Sequence, residues 1–290
     1  MEVAIVIPTL NEEKAVGKVV EGFAREGFGK IYVVDGFSTD RTIKMAKKAG
    51  AKILFRERFG KGDAIRTALR EIDADFYILV DGDGTYSPSD AKLLLKDLKE
   101  KKTDMVVGVR ERKNIGWFNS MGNRLFNWFL WFAYGKHLKD TQSGYRVITK
   151  RLAKGISFTY DDFQVEAEIT VESLEGGYRI GEVPVSYSKR IGNTKLNPLL
   201  DGWKIGIALV RFLRDYKPLK FFWSLSSASM AISLVFFYRV FIDFLETGKV
   251  KLIGSSLISG ILFLLAIELF IAGLLADMVG RRLKKVERSI

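Results

Sequence analysis

The sequence predicts an α/β domain, with a mostly parallel sheet and helices on both faces, followed by a C-terminal hairpin of two transmembrane helices. Three observations predict it. Residues 1 to about 110 alternate short apolar runs with segments of helical period, the pattern of strands linked by crossover helices. Two long apolar stretches follow much later: Phe221 to Tyr238 carries no charge, and Leu252 to Ala276 carries only Glu268. Lysine and arginine gather on the outer flanks of that pair.

Val3-Ala-Ile-Val-Ile7 is a continuous apolar strand that Pro8 ends, and Glu12 to Glu26 has helical period. Ile31 to Val34 is the second strand, with a helix from Arg41 to Ala49; Ala51 to Phe55 is the third, with a helix from Lys61 to Ile72. Phe76 to Val80, a helix over Ser89 to Lys101, and Met105 to Val109 complete the alternation. Strands apolar on both faces belong to a parallel sheet covered on both sides, and such sheets bind ligands beyond the carboxyl ends of their strands. The polar residues at those ends are therefore the ones to examine: Pro8 to Glu12, Asp35 to Asp40, Asp81 to Thr85, and Arg110.

Residues 111–136 read as a helical segment rich in Trp, Phe and Tyr, suited either to a core or to a membrane interface. Leu196 to Tyr216 reads as an amphipathic helix leading into the first span. Each apolar stretch matches the roughly 20 helical residues that cross a bilayer core, and Glu246 to Lys251 makes the polar turn between them. Glu268 is costly in lipid and is expected to face the partner helix or a neighbouring subunit. The expected division is residues 1–195 as the catalytic domain, 196–218 as the juxtamembrane helix, and 219–290 as the hairpin with a basic cytoplasmic tail. The N-terminus has no basic n-region and does not read as a signal peptide.

The net charge of +12 is concentrated. Residues 189–220 and 279–290 together hold +10 of it, on either side of the apolar pair, so the charge points to an anionic membrane surface and not to nucleic acid. By the positive-inside rule both flanks lie in the cytoplasm, giving a two-span membrane protein whose bulk and C-terminus are cytoplasmic. There is no cysteine and one histidine, His137. Disulfides, thiolate nucleophiles and Cys-ligated zinc are thereby excluded, a single histidine argues against a His-rich metal site and a Ser-His-Asp triad, and a metal would be held by carboxylates, which favours Mg²⁺ or Mn²⁺. His137 reads as a cation near a helix C-terminus.

Val80-Asp-Gly-Asp-Gly-Thr85 follows an apolar strand. Two carboxylates two residues apart, freed by glycines, can reach one hard cation and the diphosphate that it bridges. Asp35, at the end of the second strand, could read a base or a ribose, and Asp40 suits a helix N-cap. Neither a dinucleotide-binding glycine fingerprint nor a P-loop occurs, so diphosphate charge must be met by a metal and by arginines.

Ile7-Pro-Thr-Leu-Asn-Glu12, Val33-Val-Asp35 with Ser38-Thr-Asp40, Gly60-Lys-Gly62, Asp81-Gly-Asp83, Gly108-Val-Arg110, Gly122-Asn-Arg124, Asp140-Thr-Gln-Ser-Gly-Tyr-Arg146 and Glu182-Val-Pro-Val185 occur in that order. In these motifs the chain resembles family 2 glycosyltransferases of the dolichyl-phosphate mannose synthase and polyprenyl-phosphate glycosyltransferase group, over about residues 1–220. The resemblance implies a GT-A fold that transfers a sugar from a nucleotide diphosphate to a lipid phosphate, and the terminal hairpin matches two-helix members.

It also implies roles. Pro8, Leu10, Glu12 and Asp35 would line the nucleoside pocket. Asp81, Gly82 and Asp83 would form the metal motif, with Asp83 the direct ligand. Arg190 and Lys195 would close over the donor diphosphate. Arg110 and Arg124 would hold the acceptor phosphate, with Ser143 near the reacting centre. Glu166 could bind sugar hydroxyls; Glu168, two residues on, cannot share its helix face. Gly36 and Phe37 stand where many relatives carry Asp-Asn or Asp-Gly. Thr85 stands where mannose synthases often have Gln, which leaves a UDP-sugar preferred over GDP-mannose. Membrane lipid and polyprenyl (dolichyl) phosphate are the other expected partners, and the hairpin offers a surface for a homo-oligomer. Another lipid acceptor, such as a lipid-linked oligosaccharide or diacylglycerol, and a catalytically silent membrane scaffold are the alternatives. The missing Gln-x-x-Arg-Trp and the small number of spans argue against a processive polysaccharide synthase.

Overall fold

The computed structural model describes residues 2–58, 60–111, 117–156, 165–191 and 198–287. They form two compact units, Met1–Ile205 and Gly206–Ile290.

The first unit is built on a seven-stranded sheet: β1 (Val3–Thr9), β2 (Lys30–Asp35), β3 (Lys52–Phe55), β4 (Phe76–Leu79), β5 (Met105–Arg110), β6 (Arg146–Thr149) and β7 (Ile180–Val185). Their order across the sheet is β3-β2-β1-β4-β6-β5-β7. Every pairing is parallel except those of β6, which runs antiparallel to β4 and β5.

The helices of this unit are α1 (Val16–Arg25), α2 (Thr42–Lys48), α3 (Lys61–Glu71), α4 (Asp90–Lys101), α5 (Trp117–Tyr134), α6 (Lys150–Gly155) and α7 (Val165–Glu175), with the first part of α8 (Pro198–Tyr216). Two cores lie on opposite faces of the sheet, and the strand alternation of period 2 assigns residues to them. Ile5 and Ile7 of β1 pack with Val20 and Phe23 of α1 and Leu94 of α4. Ala4 and Val6 of the same strand pack with Ile65 of α3, Leu152 of α6 and Ile169 of α7. Each fully buried large aliphatic contributes about 1.5–3 kcal/mol, so the continuous apolar run of β1 follows from its having a core on each side.

Strands β6 and β7 lie beyond the stretch in which the alternation was legible. Arg146, at the start of β6, is opposite Leu79 at the end of β4 and Val107 in β5. The antiparallel strand thus begins where its neighbours finish, which carries the loop before it to the ligand-binding end of the sheet. β7 is an edge strand, and this is where Pro184 is tolerated, since it has no N–H for a ladder.

The second unit is a helical hairpin of α9 (Pro218–Thr247) and α10 (Ile253–Glu287). Both are long and apolar enough to cross a membrane. The first helix runs further than its uncharged core: Arg239 and Asp243 are helical, and Gly248 ends the helix with φ of 66° while donating to the Phe244 carbonyl at 2.8 Å. Small residues bring the two helices together. Ser226 Oγ donates to the Ala266 carbonyl at 2.6 Å, Ser229 Oγ to that of Leu262 at 2.8 Å, and Ser233 Oγ to that of Ser259 at 2.8 Å. Close approach with hydrogen bonds from small polar residues is how helices associate where water supplies no hydrophobic drive. Glu268 is exposed, on the side of α10 away from α9, so the expectation that it faces the partner helix is not met; Ser259 and Ala266 fill that face.

Helix α5 divides its aromatic residues between two sides. Phe126, Phe129, Leu130 and Ala133 are buried, while Trp128 and Trp131 are exposed on the other side. Trp131 stacks on His137, ring centroids 6.2 Å apart.

Candidate active site

The loops after β1, β2 and β4 meet at the carboxyl end of the sheet, beside the point where the chain order reverses about β1. Asp35 closes β2 fully buried. Its carboxylate accepts from Ser38 N at 2.7 Å, Ser38 Oγ at 2.6 Å and Thr9 Oγ1 at 3.3 Å, and so fixes the turn after β2. Asn11 takes a left-handed conformation, φ 54°, which its amide compensates by accepting from Thr39 N at 2.8 Å. Asp40 does serve the start of α2: it accepts from Thr42 N at 2.9 Å and Glu13 N at 3.2 Å. Burial opposes its charge, but these donors win and hold its carboxyl below the ordinary value. Pro8 is half-buried and Leu10 exposed at the rim.

Phe37 is also left-handed, φ 64°, and exposed, stacking on Phe55 at 6.3 Å. For a bulky residue that conformation is strained. Arg56 holds it from below by donating to the Gly36 carbonyl at 2.9 Å.

Two cations organise the acidic residues. Arg190 is ion-paired to Glu12 and lies 3.3 Å from Asp83 Oδ2, so it joins the β1 loop to the Asp-Gly-Asp turn. Asp83 Oδ1 accepts from Thr85 Oγ1 at 2.7 Å and Thr85 N at 3.1 Å. Thr85 thereby orients Asp83. The 187–191 segment reaches this turn because Ser188 N donates to the Thr85 carbonyl at 2.8 Å and Ile191 N to that of Asp83 at 3.1 Å. Gly84, φ 75°, permits the turn.

The second cation is Lys61, the first residue of α3. Its ammonium bridges Asp81 Oδ1 and Glu166 Oε1. Burial would pull its pKa down, yet the two carboxylates push it well above the ordinary lysine value. The sequence carried a signal for this pairing: a cation at a helix N-terminus opposes the helix dipole and requires compensation from outside. The Gly60-Lys-Gly62 motif was visible, but its partners come from β4 and α7. Glu166 therefore meets Asp81 through Lys61, and Glu168, fully buried, points elsewhere.

The Asp140–Arg146 loop forms the floor. A Cβ on Gly144 would lie 2.8 Å from Asp81 Cγ, so only glycine lets the loop pass under the carboxylate. Arg146 is buried, its pKa pushed down to about 10 by that burial, and donates to the Ser143 carbonyl at 2.9 Å and Thr170 Oγ1 at 2.8 Å. Ser143 is fully buried, with Oγ 3.3 Å from Tyr86 OH. It fixes the loop and cannot touch an acceptor from there. Arg110 likewise differs from expectation. Nε and Nη2 bind Asp140 in a fork at 2.7 and 2.9 Å, and the guanidinium lies over the Tyr187 ring at 5.4 Å. Burial works against its charge and the Asp140 bond outweighs it, raising its pKa. Arg110 is thus a buried strut, not an open phosphate receptor.

Arg124, by contrast, is exposed on α5. Its neighbour Asn123 ties that helix to the floor loop, accepting from Thr141 N at 3.0 Å and Thr141 Oγ1 at 2.8 Å. Lys195 lies outside the described residues.

Among the described residues no three His, Cys, Asp or Glu side chains gather as a metal cage. Asp81 and Asp83 fit a different arrangement, in which Mg²⁺ or Mn²⁺ takes one or two carboxylates and completes its shell with substrate phosphates and water.

Residues 4–156 match the family described as Glycosyl transferase family 2. The chain is 32% identical over 301 residues to Glycosyltransferase AglJ of Haloferax volcanii, covering 98% of this chain and 97% of that one. The chain belongs to glycosyl transferase family 2. A second relative, the Dolichyl-phosphate hexose transferase of the same organism, is 34% identical over 215 residues, covering 72% of this chain and 93% of that one. Among solved structures, the glucosyl-3-phosphoglycerate synthase of Mycobacterium tuberculosis with Mn²⁺, UDP-glucose and phosphoglyceric acid matches with a TM-score of 0.63 at 20% identity, over 72% of this chain and 79% of that one. The family 2 chain thus has a GT-A fold, the mixed sheet described above, with two C-terminal apolar helices.

Proposed function

We propose that this glycosyltransferase moves a hexose or N-acetylhexosamine from a nucleotide-diphosphate sugar to a polyprenyl (dolichyl) phosphate at the cytoplasmic face of a membrane, with inversion at the anomeric carbon. One observation carries the reading: a family 2 site whose Asp-Gly-Asp turn is held by Arg190 and Lys61 stands in one chain with two helices able to cross a bilayer. The relative named for dolichyl-phosphate hexose transfer supports the acceptor, and the UDP-glucose in the fold neighbour supports a UDP-sugar donor. The division at about residues 195 and 218 and the cytoplasmic side rest on the sequence and its basic flanks.

A divalent cation on Asp83, with Asp81 beside it, would stabilise the charge of the departing diphosphate. The protein's own groups do the rest. Asp35 and the loop after β1 seat the nucleoside, with Pro8 and Leu10 at its edge. Arg190 shifts from Glu12 and Asp83 onto the diphosphate, trading carboxylate contacts for phosphate ones, and Lys195 joins it. Arg124 receives the acceptor phosphate. Arg110 and Ser143 keep the floor loop in place below, and Glu166 reads sugar hydroxyls.

The acceptor needs no base. A phosphate monoester has its second pKa near about 6, so at neutral pH its oxygen is already largely anionic. That oxygen forms a bond to the anomeric carbon as the bond from that carbon to the diphosphate oxygen breaks, and the electron pair leaves with the nucleoside diphosphate. Positioning and charge stabilisation are the enzyme's tasks.

The test is sugar transfer by isolated membranes holding the chain, with radiolabelled UDP-glucose, UDP-N-acetylglucosamine and GDP-mannose, each with and without added dolichyl phosphate. Lipid-phosphate product from one donor is expected; label appearing only in diacylglycerol or oligosaccharide would replace the acceptor assignment. Because the chain has no cysteine, a single cysteine at Ser289 reports sidedness cleanly, and external labelling there overturns the cytoplasmic tail.

A further inference from the structure

We propose that Arg190 is a counter-cation that keeps Asp83 closed to a divalent metal ion until a nucleotide diphosphate draws it away, so that metal and nucleotide enter together. The proposal rests on the reading of this site as a nucleotide-sugar site with its metal on Asp83.

In the Asp-Gly-Asp turn one carboxylate oxygen is open to exchange. Asp81 Oδ1 is held by Lys61, and Gly144 passes so close to the same carboxyl that a Cβ there would lie 2.8 Å from Cγ. Asp83 Oδ1 accepts from both Thr85 Oγ1 and Thr85 N. Asp83 Oδ2 is met, among the described residues, by Arg190 Nη1 alone, at 3.3 Å. A guanidinium and a divalent cation on one oxygen would repel each other at contact distance, so that oxygen takes one or the other. The side chains of Glu12 and Asp83 are 11% and 12% exposed, so water is a poor substitute for a cation there, and Arg190 serves both carboxylates.

Two features make this clamp one that a diphosphate can release. The contact to Asp83 is longer than the roughly 2.7–2.9 Å of a good charge-assisted bond. Arg190 Nε is buried and donates to nothing among the described residues, which costs free energy that an added acceptor would recover. Phosphate oxygens offer such acceptors in pairs, matching the planar fork of an arginine. The backbone need not follow the side chain: Ser188 N stays on the Thr85 carbonyl and Ile191 N on that of Asp83. Once Asp83 Oδ2 is freed, one protein oxygen alone still holds Mg²⁺ or Mn²⁺ weakly, because these ions need about six oxygens. The diphosphate supplies the missing ones. The same group thus removes the competitor and completes the shell, and each ligand raises the affinity of the other by the same factor.

The experiment is equilibrium dialysis of the detergent-solubilised full chain at equal free Mn²⁺, without nucleotide, with UDP, or with GDP on both sides. The metal retained by the protein is read with no turnover. The wild type should bind Mn²⁺ at least about fivefold more tightly with one of the nucleotides than alone, the lower end for coupled sites. Arg190→Gln should bind Mn²⁺ alone about fivefold more tightly than the wild type does, and adding Asp83→Asn should remove that gain. Lys189→Gln deletes the same charge from an exposed neighbour and should leave Mn²⁺ binding unchanged. The two ways to fail are distinct. A wild type that retains no Mn²⁺ with either nucleotide refutes the metal reading of the site. A wild type that binds Mn²⁺ equally well without nucleotide, an Arg190→Gln chain that binds no better, an equal gain in Lys189→Gln, or a gain that survives Asp83→Asn refutes the exchange at Arg190.

Discussion

Replacing Lys61 with Met removes the cation between Asp81 and Glu166 and leaves two carboxylates facing each other. The side chains of Lys61, Asp81 and Glu166 are 24%, 28% and 13% exposed, so water screens the contact only in part. Breaking a buried ion pair from one side costs about 3–5 kcal/mol. Partial exposure favours the lower end, and relief of the unfavourable charge at the α3 N-terminus returns about 0.3–1 kcal/mol. The net loss is thus about 2–3 kcal/mol. At ~2–4 °C per kcal/mol for a unit of this size, the detergent-solubilised chain should melt roughly 4–12 °C lower. Glu166→Gln in the same chain should recover part of that loss, because it removes one of the two stranded charges. Transfer should fall about a hundredfold, the scale of a reacting group displaced by about 1 Å, since Asp81 loses its fixed position. Thermal unfolding and single-turnover transfer measure the two effects. A Lys61→Met chain with unchanged melting temperature and rate would show that the bridge contributes nothing and that the floor loop alone positions Asp81.

Asp83→Ala should abolish transfer, and the wild type should lose activity in excess EDTA and regain it with Mg²⁺ or Mn²⁺; full activity in EDTA rejects the metal assignment. Arg124→Lys should bind nucleotide sugar normally by calorimetry yet lose transfer, because a point charge replaces a planar two-toothed donor. Wild-type acceptor kinetics in that variant would make Arg124 a surface charge. The acid limb of the rate profile should follow the acceptor, since the acceptor's protonated form is the inactive one: activity falls as pH drops through its second pKa. A phosphonate acceptor of higher pKa should move the limb upward, and a limb that stays fixed, and disappears in Glu166→Gln, would indicate a protein base.

The part of the fold governed by local pattern was legible in the residues. Five apolar runs between helical segments give the parallel half of the sheet, because a strand with a core on each face must be apolar throughout, as β1 is. The two helices long and apolar enough to cross a membrane were legible too, because an unbroken apolar run of that length shows in the residues themselves. Asp83 was singled out by its motif at a strand end and Arg190 by the family resemblance, and the structure brings the two within 3.3 Å of each other.

What sequence could not settle is where groups far apart in the chain come to face one another. Arg110 and Ser143 looked like acceptor contacts, and only the fold shows that Asp140 holds one and Tyr86 the other. Lys61 meets Asp81 and Glu166, which lie 20 and 105 residues further along the chain. Strand β6 had no alternation to reveal its reversed direction, and Glu268 had none to say which side of α10 it takes. Sequence determines the burial pattern of each element, since that is set by the period of its own side chains. Pairing between elements is decided by packing, and a charge acquires its role from the partner that packing places beside it.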